Sequence, residues 1–147
     1  VYSEHSQHNK TQRRLKMTRK MIQFGGFINL FFTLFHIFLG YVILNSRNID
    51  YQNRVLMFML NTAGTIFIAF FAYISIFKSR EIMKSYLGKS ILILLIMTYL
   101  VRAIEEIYFF GTSMNLPIFI SCLLIALLYS VILFRIQKTG LNESREG

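Results

Sequence analysis

Sorted into apolar and polar positions, the chain falls into four long apolar runs, at about 21–44, 55–77, 88–110 and 116–134, joined by short polar connections. Each run reaches the roughly 20 apolar residues that an α-helix needs to cross a hydrocarbon core. Short links between long helices favour antiparallel neighbours and leave no room for a soluble domain. The pattern therefore predicts an all-α polytopic membrane protein, a four-transmembrane-helix up-and-down bundle. Its expected parts are a basic arm at 1–20, the four-helix domain at 21–136 and a tail at 137–147. The first run exceeds the about 7 to 15 apolar residues of a signal peptide and lacks a small-x-small cleavage pattern, so it reads as a retained span.

Composition agrees, because 54% apolar, 16% aromatic and 16% charged residues are too apolar a mixture for a soluble domain of 147 residues. Charge then orients the bundle. Lys10, Arg13, Arg14, Lys16, Arg19 and Lys20 precede the first run, Lys78, Arg80, Lys84 and Lys89 lie between the second and third, and Arg135, Lys138 and Arg145 follow the fourth. The connection between the first and second runs carries Arg47 and Arg54, a balance of thirteen against two. By the positive-inside rule both termini are expected in the cytoplasm, with the bacterial inner membrane or the plasma membrane as the expected location.

The same count explains the net charge of +9 without nucleic acid. Arg13, Arg14, Lys16, Arg19 and Lys20 form the one dense basic segment, and juxtamembrane cations of this kind set topology and hold anionic lipid head groups. His5 and His8 in the same arm have no Cys or carboxylate at a ligand spacing, so the arm reads as an unstructured tail rather than a metal site. Cys122 is the sole cysteine, which removes intrachain disulfides, paired-thiol redox chemistry and four-cysteine metal sites. It reads as a small buried apolar residue.

Polar residues inside the runs carry the chemistry, since ionisable groups at membrane depth are costly and normally face the bundle interior or a water-filled cavity. The third run holds Arg102, Glu105 and Glu106, whose i+3 and i+4 spacing puts them on adjoining parts of one helix face. The first run holds the stripe Asn29, Thr33, His36 and Gly40, spaced by 4, 3 and 4, and the second holds Asn61 and Thr65 one turn apart. At about 1.5 Å of rise per residue, His36, Asn61, Arg102, Glu105 and Glu106 all fall at roughly 21 to 27 Å from the inner end of their helices. These five are the expected ligand- or proton-binding residues of a polar layer in the outer half, with Thr33, Thr65, Thr98 and Ser121 as supporting polar groups. The inner half is expected to be dry, with Gly25, Gly26, Ala69 and Ala72 permitting close helix contact.

One Arg cannot neutralise two carboxylates, so the layer is left one negative charge in excess unless a proton, His36 or an external cation balances it. That imbalance points first to a homo-oligomeric protein that binds or transports a small polar or cationic species. Glu105 or Glu106 is the expected acceptor, Arg102 its electrostatic partner, His36 the second titrating group and Asn61 an orienting hydrogen bonder. An accessory subunit of a larger membrane complex, with Arg102 and the glutamates pairing across an interface, is the alternative. A third reading is an enzyme acting on a lipid or quinone with His36 as base, but no nucleophile elbow, paired metal motif or phosphate loop accompanies it. His36 is also the one histidine within a run and hence the one candidate haem ligand, which would need a second copy for bis-histidine ligation.

Overall fold

Helix formation begins well before the first apolar run, because residues 2–45 contain no proline and the basic segment is rich in Gln, Arg, Lys and Met, all good helix formers. In the computed structural model, which describes residues 2–110 and 116–143 and the side chains of 12–108 and 116–138, α1 spans Tyr2–Asn45 as one continuous helix. The arm is therefore helical, correcting the expectation of an unstructured tail. It is followed by α2 (Tyr51–Phe77), α3 (Ser79–Lys84), α4 (Tyr86–Phe110) and α5 (Leu116–Glu143). No strand occurs among the described residues. Four of these helices are long and apolar enough to cross a membrane, over Gln12–Asn45, Tyr51–Phe77, Tyr86–Tyr108 and Leu116–Lys138.

Local chemistry explains the boundaries. Asp50 caps α2, its Oδ2 accepting from the Gln52 backbone N–H at 3.2 Å. Pro117 sits in the first turn of α5, where its missing N–H costs nothing. Ser85 Oγ accepts from the Gly88 N–H at 2.8 Å and so opens α4. Between α2 and α4 lies α3, a helix too short to leave a periodic signal, which buries Ser79 and Ile82 while Arg80, Glu81 and Lys84 point outward.

The turn from α3 into α4 depends on Gly88, because a Cβ there would run into the backbone of Ile82. Gly88→Ala is expected to push α3 off the helix ends and to lower stability by about 1–3 kcal/mol, the usual range for overpacking. Thermal unfolding in detergent reads this directly, and an unchanged midpoint would show that the junction has room to spare.

The α1–α2 pair is antiparallel: Gln23 Nε2 reaches the Ile76 carbonyl at 3.4 Å near one end, and Arg54 Nη1 reaches the Ser46 carbonyl at 3.0 Å at the other. Besides α1, α2 touches α3; α4 pairs with α5, and α5 also packs on α1. The core is concentrated toward α3, where Ile22, Phe71, Ile82, Leu92, Tyr129 and Ile132 pack together. In α2 the buried side chains are confined to Phe71, Ala72, Ile74 and Ser75, and none of residues 51–70 is buried. Large apolar side chains such as Phe24, Phe31, Phe38, Leu60, Ile66 and Phe77 face outward and are more than half exposed. A water-soluble monomer would aggregate through such a surface, whereas acyl chains solvate it well.

Candidate functional site

The polar stripe of α1 meets different partners at different depths. Asn29, fully buried, donates through Nδ2 to the Tyr129 hydroxyl at 2.8 Å and accepts a short hydrogen bond from the Tyr99 hydroxyl. One amide therefore ties α1 to both α4 and α5. Tyr129 also faces Ser75 of α2, whose buried Oγ makes no hydrogen bond of good geometry. This cluster lies on the α3 side of the span, the half expected to be dry. Asn29 was legible as part of a stripe, but Tyr99 and Tyr129 were not, since an isolated tyrosine in an aromatic-rich helix looks like apolar filler.

Seven residues further along α1, His36 is clasped by Asn61 of α2. Asn61 Nδ2 donates to the His36 carbonyl at 2.9 Å, which fixes the amide so that Oδ1 faces the ring, where it lies 2.9 Å from Nδ1. An amide oxygen only accepts, so Nδ1 carries the proton. His36 Nε2 is left as the atom open to a proton or ligand, and it has no partner among the described residues. Gly40, buried one turn on, lets the clasp form: a Cβ there would stand 3.0 Å from Asn61 Nδ2.

On α4, Arg102 bonds both glutamates, through Nη1 to Glu105 Oε2 at 3.3 Å and through Nη2 to Glu106 Oε1 in a shorter contact. The two carboxylates are not equivalent. Glu105 is 44% exposed, whereas Glu106 is 2% exposed and its Oε2 is buried with no hydrogen-bond partner. A buried carboxylate oxygen without a donor is costly unless a proton or a cation occupies it. Cys122 of α5, itself buried, lies within electrostatic reach of Arg102 and Glu106.

Register relates the two groups. Arg19 bonds Ser79 of α3, against which Gly88 at the start of α4 is packed, and Asn29 bonds Tyr99 further along α4, so α1 and α4 run parallel. From Asn29 to His36 and from Tyr99 to Glu106 is seven residues each, roughly 10 Å of rise, so His36 and Glu106 stand at one level. They remain two groups, with no hydrogen bond or ion pair joining them among the described residues. Thr33, Thr65, Thr98 and Ser121 turn back on their own helices, bonding the carbonyls of Asn29, Asn61, Leu94 and Pro117 at 2.7 to 2.9 Å. Compared with protein-family models, with curated proteins and with solved structures, the chain matches none of them.

Proposed function

We propose that this is a membrane protein that binds or moves a proton or small cation at Glu106, with both termini cytoplasmic and the site in the outer half of an up-and-down bundle. The reading is carried by Glu106 Oε2, a buried carboxylate oxygen without a donor in a group of two acids and one Arg. Arg102 neutralises one charge, Glu105 gives the group a half-exposed edge toward the surroundings, and His36 Nε2 stands at the same level as a second proton acceptor. A homo-oligomer suits so small a chain.

Proteoliposomes loaded with a pH-sensitive dye and given gradients of Na+, K+ or tetramethylammonium test this. Cation-coupled proton movement is expected with the native chain, reduced in Glu105→Gln and lost in Glu106→Gln, with all three inserting equally well. Full signal from Glu106→Gln would remove the proposal, and no signal from the native chain with any of the cations would remove its transport half.

An accessory-subunit reading draws on a different observation, that α2 is the least enclosed span, with 11% of its most apolar window buried against 28% for α4 and for α5. Native mass spectrometry of protein released gently from its own membrane separates the two. A stoichiometric foreign chain would favour the subunit, and a homo-oligomer the binding protein.

A further inference from the structure

At the opposite end of the helices from Glu106, α3 closes the assembly as a small amphipathic cap. Ile82 and Ser79 are buried beneath it while Arg80 and Lys84 face outward. Its junction with α1 is made by Arg19, which is half-buried and donates through Nε to Ser79 Oγ at 3.4 Å. This is an unusual use of a guanidinium: a half-buried Arg normally finds a carboxylate, and here it has a neutral hydroxyl. Its Nη groups have no acidic partner among the described residues. Lys78 and Arg80 flank Ser79 in the chain and add charge on either side of that contact.

Acidic groups do little to balance this end. Among the residues whose side chains are described it carries Arg13, Arg14, Lys16, Arg19, Lys20, Lys78, Arg80, Lys84, Lys89, Arg135 and Lys138, eleven cations, against Glu81 alone. Glu81 is already engaged by Lys78 at 3.1 Å, a pairing that raises the lysine's pKa through the hydrogen bond and then the charge. Among the described residues Arg19 thus has no acidic partner.

We propose that the junction of α1 and α3 is a binding site for the phosphodiester of an anionic phospholipid, held by Arg19 with Arg80. The position fits, because Ser79 and Arg80 closely follow the Tyr51–Phe77 helix, which is long and apolar enough to cross a membrane, and anionic head groups lie beside the ends of such helices. So does the chemistry: a guanidinium fork already positioned by Ser79 takes two phosphate oxygens, and Ile82 beneath it belongs to the apolar core. The site differs from the diffuse attraction of the basic arm in depending on particular residues rather than on total charge.

Native mass spectrometry after exhaustive detergent washing and re-addition of phosphatidylglycerol or phosphatidylcholine tests this on the full chain. One phosphatidylglycerol per chain is expected to stay bound, with phosphatidylcholine at least tenfold less. Arg19→Gln with Arg80→Gln is expected to lose the lipid, and Arg13→Gln with Arg14→Gln, which removes the same charge from exposed positions of α1, is expected to keep it. If the double variant at the junction is not monodisperse, Arg80→Gln alone serves, with a weaker loss expected. Equal loss from both charge-matched variants would overturn the site in favour of diffuse attraction. Competition by millimolar inorganic phosphate would overturn it in favour of free phosphate, and equal retention of phosphatidylcholine would remove the role of lipid charge.

Discussion

Replacing Arg102 by Leu is expected to destabilise the protein by roughly 3 kcal/mol, the lower end of what breaking a buried ion pair costs, because Arg102 is itself half-exposed. The loss comes from the partner left behind. Glu106 is enclosed, its Oε2 already lacks a donor, and without Arg102 its Oε1 loses one as well. Adding Glu106→Gln to the same chain should restore most of the stability, since a neutral amide tolerates that position better than an unpaired carboxylate. Thermal unfolding of wild type, both single variants and the double variant in one detergent gives the coupling directly. If the double variant is no more stable than Arg102→Leu, charge is not what Arg102 supplies there.

An effect of similar or greater size is expected at Asn29. Asn29→Leu leaves the hydroxyls of Tyr99 and Tyr129 without their shared amide in a fully buried place, about 1–3 kcal/mol for each, so that α1 loses its polar tie to both α4 and α5. The control is one turn away. Thr33 is also buried but bonds only the carbonyl of its own helix, so Thr33→Val should change the unfolding midpoint little. Equal effects at the two positions would show that packing on this face matters more than the amide.

The contrast between Asn29 and Thr33 shows where sequence reasoning reached its limit. Four long apolar helices were legible because about 20 apolar residues in a row have few other uses. Arg102, Glu105 and Glu106 stood out because charge at such positions is rare, and His36 and Asn61 fell at matching heights by arithmetic alone. Which of the two glutamates is enclosed could not be read, because residues 105 and 106 differ by about 100° around the helix and only packing against α5 chooses between them. Nor could the spacing show that Thr33, Thr65, Thr98 and Ser121 each satisfy themselves within one turn. Helix α3 was read as mere connection, its Ser79 and Ile82 giving a single i, i+3 pair and no repeat.

The clasp between His36 and Asn61 bears on how the chain enters a membrane at all. Alone in hydrocarbon, an imidazole and a carboxamide each raise the cost of threading their helix. Here the Asn61 amide engages both Nδ1 and the backbone carbonyl of His36, and the pair involves only α1 and α2, which are neighbours in the chain. Those helices can thus pair as one hairpin that covers the Asn61 amide and one edge of the His36 ring before α4, with its Arg and two Glu residues, has been made, whereas Asn29 waits for Tyr99 and Tyr129.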